Sequence, residues 1–201
     1  MSRLRSPFFW FVLAMLTAAA LTALGPEEAS LGSNVRIIYL EGAWLLAAET
    51  ALGLAALGGL FAILMRRDRL HRWSAALGRT GIFFWVVYLP LSLWAMDADW
   101  NGLFSSEPRF RIAVIFAAIG VLLQIGLSLL ARPGATSLAN LAFFIGLWMA
   151  NSQAEYLRPS APSLIVQSGI ISLQLFFVGL VFLTLAGAYF MTKWWLTKQN
   201  P

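Results

Sequence analysis

The sequence predicts an all-α integral membrane protein, and three observations lead to this fold class. Of the 201 residues, 60% are hydrophobic and only 11% are charged, whereas about a quarter of the residues in a soluble domain are charged. Because so little polar surface cannot coat a globule in water, lipid must replace the solvent. The apolar residues also form blocks of helical length separated by short polar stretches, which is typical of transmembrane helices rather than barrel strands.

The apolar blocks predict about six transmembrane helices within a single polytopic domain, 1–201. The predicted spans are approximately 7–24, 37–65, 80–96, 111–131, 138–151 and 164–191. The first span follows Arg3 and Arg5, as the core of a signal peptide would. It is about 18 residues long and no small-x-small cleavage site closes it, so we expect a retained anchor.

The distribution of basic residues predicts the orientation. Six spans place both termini on one side, and that side would hold ten of the 14 basic residues: Arg3, Arg5, Arg66, Arg67, Arg69, Arg72, Arg79, Arg132, Lys193 and Lys198. The other side would hold Arg36, Arg109, Arg111 and Arg158. Because lysine and arginine accumulate in cytoplasmic loops, we expect both termini in the cytoplasm and a multi-pass protein of a bacterial-type inner membrane. The same rule explains the net charge of +5 without a nucleic-acid partner.

Two acidic residues of the second span are predicted to lie near one helix face. Glu49 follows Glu41 by eight residues, which places the two within ~80° around the helix and ~12 Å along it. Acids inside a membrane are costly and often functional. A proton or cation path, a contact to a lipid head group, and a hydrogen-bonded helix contact all remain open.

Amide side chains and small residues are predicted to join helices. Gln167 and Gln174 are seven residues apart, hence on one face of the last predicted span, and Gln124 and Asn140 lie in other spans. Amides in spans commonly hydrogen-bond to neighbouring helices, although they could also ligate a pigment metal or hold a quinone carbonyl. The second span carries small residues four apart, at 51, 55 and 59, which allow close approach within the bundle or against another subunit.

The start of the second span carries a motif, NVRIIYLEGAW at 34–44. It resembles the corresponding helix of the cytochrome c maturation haem-handling family, the haem exporter protein C type. That family typically reads N-x-R-I-I-Y-x-H here, and its histidine is a haem ligand near the outer face. In this chain Glu41 stands at the histidine position.

Two outer loops extend the resemblance, which covers roughly 34–190. The segment WNGLFSSEPR at 100–109 is similar to a degraded form of the family's haem platform, W-G-x-W-W-x-W-D-x-R. EYLRP at 155–159 stands where the family carries its second histidine ligand. The resemblance implies an outer-face cofactor platform formed by Glu41, Trp44, Trp100, Glu107, Arg109 and Arg158. It also motivates the hypothesis that Glu41 pairs with Arg158.

The departures from the family concern the iron ligands. Haem iron in proteins is held by histidine, cysteine, methionine or tyrosine, and both family histidines and all cysteines are absent. The one histidine, His71, lies in the arginine-rich inner segment, a bilayer away from the platform. Met96 and Met149, near the outer ends of their spans, are conceivable thioether ligands. We therefore expect no cofactor and no metal site, with haem as the alternative.

The sequence supports three functional hypotheses. The first is a haem-free membrane subunit or scaffold within a larger electron-transport or cytochrome c assembly complex, in contact with lipid and other integral membrane subunits. The second is haem handling or delivery with non-histidine ligands. The third is a small transporter, for which the proline of the third span, Pro90, is a possible kink, although no internal repeat is present. No acid, base and nucleophile converge, so we do not expect an enzyme.

Overall fold

The structure, a computed structural model, describes residues 6–27, 32–98, 102, 106–154, 165 and 169–199, together with the backbone of 99 and 100. In these residues the fold is all-helical, as predicted. The six helices are α1 (Pro7–Ala23), α2 (Val35–Met65), α3 (Asp68–Trp100), α4 (Pro108–Leu130), α5 (Pro133–Gln153) and α6 (Ile171–Gln199).

Five helices, α2 to α6, are long and apolar enough to cross a bilayer, whereas α1 is apolar but has only 17 residues. The outer surface of the bundle is apolar too. On α4 alone, Ile115, Leu122, Ile125 and Leu129 each expose more than half of their surface. A contiguous apolar exterior of this kind suits lipid rather than water, so the multi-pass membrane character of the chain is confirmed.

Local backbone chemistry sets several helix ends. Helices α1, α4 and α5 begin at Pro7, Pro108 and Pro133. Proline suits the first helical position because its missing N–H needs no partner there and its φ is already helical. Helices α2 and α4 are followed directly by Arg66 and Ala131, whose φ angles of 52° and 49° are left-handed. A left-handed residue stops the helical hydrogen-bond ladder.

The helices alternate in direction, so that the start of α1 and the end of α6 lie together. The Phe8 and Trp194 ring centroids are 5.4 Å apart, and the Thr192 hydroxyl donates a hydrogen bond of 3.0 Å to Thr80 of α3. We call this the proximal end, and the opposite end, where α2 and α4 begin, the distal end. Helix α2 is central and packs against α1, α3, α5 and α6.

The small residues of α2 lie inside the bundle. Ala47, Ala48 and Ala55 are fully buried, and a Cβ on Gly59 would lie 2.6 Å from the Ser137 carbonyl oxygen of α5. Close packing of α2 against its neighbours therefore requires small side chains. The sequence left open whether these small residues pack within the bundle or against another subunit, and the structure shows packing within the bundle.

A polar network joins four helices in the proximal half. The Asn140 amide of α5 donates to the Ser74 carbonyl of α3 at 2.9 Å, and the Gln124 amide of α4 donates to Asn140 Oδ1 at 3.2 Å. The Ser74 hydroxyl donates to the Ala55 carbonyl of α2 at 2.8 Å. Gln124 and Asn140 thus join helices, as predicted for amides in spans.

Two helices differ from the predicted pattern. Helix α3 begins at Asp68, so the arginine-rich stretch expected to be a loop is helical from 68 onward, and His71 is half-buried within it. Arginine and leucine favour helix, and no proline interrupts this stretch. Helix α6 begins at Ile171 and reaches Gln199, whereas the predicted span was 164–191.

The predicted shared face of Gln167 and Gln174 stays a prediction, because it involves a residue outside the described part of the chain. Gly169 lies between them with a φ of +69°, and neither Gly169 nor Ile170 is helical. A left-handed residue cannot continue a right-handed helix, and the helix that carries Gln174 begins after it, at Ile171. Gln167 itself lies outside the described residues. Pro90 lies inside α3, which continues on both sides of it, as membrane helices tolerate.

Candidate functional site

The Glu41 side chain lies in the interior between α2 and α3. It is only 9% exposed and hydrogen-bonds to the hydroxyl groups of Tyr88 and Ser92. These two residues are one turn apart on α3, and the Ser92 hydroxyl donates to the Tyr88 oxygen at 3.4 Å. The carboxyl group of Glu41 is therefore a buried link between two helices.

Arg109 brings a positive charge to both acids of α2. It lies in the first turn of α4, is half-buried, and interacts electrostatically with Glu41 and with Glu49. Charges in such surroundings interact far more strongly than in water, and a buried charge needs a partner of opposite sign. The structure thus brings three predicted site residues, Glu41, Glu49 and Arg109, into one polar cluster in which Arg109 acts electrostatically on both acids.

A cavity of about 330 Å³ lies beside this cluster, between α2, α3, α4 and α5. Its polar lining is Glu49, Tyr88, Arg109 and Asn151, and its aromatic lining is Trp85, Phe144 and Trp148. The volume is at the lower end of the range for small-ligand pockets. The lining offers one carboxyl, one guanidinium cation, an amide and a phenol hydroxyl within largely apolar walls.

Two tryptophan side chains next to the cluster hydrogen-bond to neighbouring helices. The Trp44 ring stacks on Phe84 with centroids 4.7 Å apart, and its indole N–H donates to the Phe84 carbonyl at 2.9 Å. The Trp85 indole donates to the Ala113 carbonyl of α4 at 3.0 Å. Trp44, expected in a cofactor platform, therefore has its ring and its N–H engaged in joining α2 to α3.

Glu107 is buried immediately before α4, with 4% of its surface exposed. Its Oε2 atom has no hydrogen-bond partner among the residues that the structure describes. A buried polar atom without a hydrogen-bond partner is rare and requires explanation. The Trp100 side chain and Arg158 lie outside the described residues, so the pairing of Glu41 with Arg158 stays a hypothesis.

The remaining predicted groups lie apart from this cluster. Gln174 is half-buried in the first turn of α6, which contributes no residue to the cavity lining. Met96 is buried in the bundle with 8% of its surface exposed, whereas Met149 is 48% exposed on the outside. One of these two thioethers therefore lies in the interior of the bundle and the other on its outer surface.

Comparison of this chain with protein-family models, with curated proteins and with solved structures found no match. Its own residues must therefore indicate what the site does. Within the described parts of the chain, no three histidine, cysteine, aspartate or glutamate side chains lie together as a metal site would require. The cluster of Glu41, Glu49 and Arg109, with the cavity beside it, is the strongest candidate for a functional site.

Sequence reasoning missed Tyr88, Ser92 and Asn151. Tyr88 and Ser92 are four residues apart in an otherwise apolar stretch, so their hydroxyls share a helix face. That spacing is a usable signal for a partner of an intramembrane acid. Asn151 gives no comparable signal, because its place in the cavity wall depends on how α5 packs against α2.

Proposed function

We propose that this chain is a haem-free membrane subunit or scaffold, built on a fold like that of the haem exporter protein C type, within a larger electron-transport or cytochrome c assembly complex. The observation that carries the proposal is the surroundings of Glu41. Where the family has a histidine that ligates haem, this chain has a buried carboxyl hydrogen-bonded to Tyr88 and Ser92. Carboxylates are not among the usual ligands of haem iron.

The neighbouring side chains support the same interpretation. Tyr88, whose phenol is a possible haem ligand, already has its hydroxyl engaged by Glu41 and Ser92. Trp44 braces α2 against α3 through Phe84. The groups at the former ligand position thus stabilise the bundle, which is the task of a structural subunit.

The charge pattern supports placing both termini in the cytoplasm of a cell with a bacterial-type inner membrane. Among the described residues of the proximal end, one charged residue is acidic, Asp68. The basic residues there are Arg66, Arg67, Arg69, Arg72, Arg79, Arg132, Lys193 and Lys198. Such an excess of basic residues marks the cytoplasmic side. Lipid and other integral membrane subunits would contact the apolar faces; we propose neither a reaction nor a nucleic-acid partner.

Isolation of the protein from its native membrane tests this proposal. After solubilisation in mild detergent and chemical cross-linking, the subunits that co-purify would be identified by mass spectrometry and the haem content of each would be measured. We expect a defined set of cytochrome-linked membrane subunits in fixed stoichiometry, with no haem bound to this chain. Isolation as a lone protein, or one haem for each copy, would contradict the proposal.

A further inference from the structure

An apolar groove runs along the outside of α2 in its proximal half. Its volume is about 460 Å³, and residues of α2, α3 and α6 line it. The lining of α2 runs from Ala47 to Phe61 and includes Leu54, Leu57 and Gly58; Trp73 of α3 and Tyr189 of α6 are among the residues that complete the walls. The 14 helical steps from Ala47 to Phe61 correspond to roughly 21 Å along the helix axis. One leaflet of the hydrocarbon core is about 15 Å thick. The groove is therefore long enough for an acyl chain of one leaflet.

A positive charge stands at one end of this groove. The Lys193 ammonium lies 5.1 Å from the centre of the Trp73 ring and 5.6 Å from the centre of the Tyr189 ring. Both rings belong to the groove lining, and aromatic faces attract cations at these distances. The two aromatic side chains thus hold an ammonium group where the groove meets the basic proximal end.

The shape of the rim favours a lipid chain over another helix. Leu54, Leu57, Phe61 and Tyr189 are each about half exposed around the groove. Close contact between two transmembrane helices requires small residues at the surface, and these four side chains are large. A flexible hydrocarbon chain can lie between them, whereas a rigid helix would be held away.

We propose that the groove binds an acyl chain of one anionic phospholipid, whose phosphate lies on the Lys193 ammonium. The acyl chain of the lipid makes the apolar contact with the groove, and the lipid phosphate carries the charge opposite to that of Lys193. The eight basic residues around the proximal end reinforce the preference for an anionic head group, since basic residues near a bilayer surface attract anionic lipids. This site is independent of the proposed function and of the cluster around Glu41.

Native mass spectrometry of the delipidated protein tests the proposal, with phosphatidylglycerol or phosphatidylcholine added back to the micelles. We expect one tightly retained phosphatidylglycerol and weaker retention of phosphatidylcholine. Lys193→Gln should weaken the binding of phosphatidylglycerol about fivefold, which is the typical contribution of one basic residue to anionic-lipid affinity. Gly58→Leu should abolish retention, because it places a side chain in the groove where a Cβ meets nothing closer than 3.9 Å.

Matched variants separate this site from general effects. Lys198→Gln removes an ammonium that lies over Trp194 rather than over the groove, and Gly126→Leu adds a side chain on α4 where nothing lies within 4 Å of a Cβ. Both should retain the lipid as the unaltered protein does, with unchanged melting temperatures. Equal losses in Lys193→Gln and Lys198→Gln, retention by Gly58→Leu, equal binding of the two lipids, or no binding would each overturn the proposal.

Discussion

At position 41 a carboxyl group lies in the interior of the bundle, in contact with two hydroxyl groups of α3 and near the charge of Arg109. Water is absent from the hydrocarbon region, so polar groups there must find partners within the protein. Tyr88 and Ser92 supply those partners from a neighbouring helix. At the scale of single residues, Glu41 therefore acts as a link between α2 and α3.

This link predicts the effect of removing one hydroxyl. Tyr88→Phe leaves the aromatic ring in place but deprives Glu41 of a hydrogen-bond partner, so the free energy of unfolding should fall by about 1 kcal/mol or more. The melting temperature in detergent, followed by circular dichroism, would show the loss. Tyr189→Phe is the control, because that side chain is half exposed and should be nearly neutral. Equal melting temperatures for the two variants would contradict the assigned role of Tyr88.

Helix α2 owes its central place to its small side chains. The Gly59 backbone meets the α5 backbone at Ser137, and the polar network around Asn140 lies close by. Because membrane helices gain no hydrophobic driving force against lipid, such close packing and hydrogen bonding must hold them together. Gly59 is therefore a critical contact at the scale of helices.

Gly59→Ala tests this packing directly. The added methyl group would lie 2.6 Å from a backbone oxygen, which cannot move aside as a flexible side chain could, so we expect a loss of about 1–3 kcal/mol. Gly126→Ala places the same methyl group in open space on α4. That control should be neutral or slightly stabilising, because alanine favours helix over glycine. A thermal shift no larger for Gly59→Ala than for Gly126→Ala would rule out this contact.

The sequence was sufficient to predict most helices but not all of their ends. Hydropathy locates the apolar window of a span, and predicted spans such as 111–131 closely match helices such as α4 (Pro108–Leu130). It does not detect a helix that continues into a polar segment, as α3 does from Asp68 and α6 does to Gln199. The late start of α6 depends on the left-handed Gly169, and glycine alone does not reveal its backbone conformation.

The candidate site could be predicted only in part. Helical spacing placed Glu41 and Glu49 near one face, and the family resemblance singled out Arg109; the structure joins all three electrostatically. Tyr88 was missed because its role depends on which face of α3 packs against α2. The four-residue spacing of Tyr88 and Ser92 indicates that their hydroxyls share a face of α3, but it does not say which helix that face contacts.

At the scale of the whole molecule, the two ends of the bundle differ in charge. Basic residues dominate the described part of the proximal end, whereas the distal end combines Glu27, Glu41 and Glu107 with Arg36, Arg109 and Arg111. Arg36 pairs there with Glu27 at 3.0 Å and donates to the Gly25 carbonyl at 2.9 Å. The positive-inside rule then predicts that the proximal end faces the cytoplasm.

Single cysteines test that orientation cleanly, because the chain contains none of its own. Ser33→Cys places a thiol at an exposed distal position, and Arg132→Cys places one at an exposed proximal position. In intact spheroplasts, a membrane-impermeant maleimide should label only the Ser33→Cys variant. The Arg132→Cys variant should react once the membrane is permeabilised. The reverse pattern would show that the proximal end faces outward.

The most direct test of the central claim is a haem titration of the purified protein, followed by its Soret absorbance. We predict no saturable, one-to-one binding, because position 41 holds a buried carboxyl that is hydrogen-bonded within the bundle rather than an imidazole. A stoichiometric Soret band would contradict the account. If Met96→Leu or Met149→Leu then abolished that band, the protein would be a haem-handling one that uses a thioether ligand.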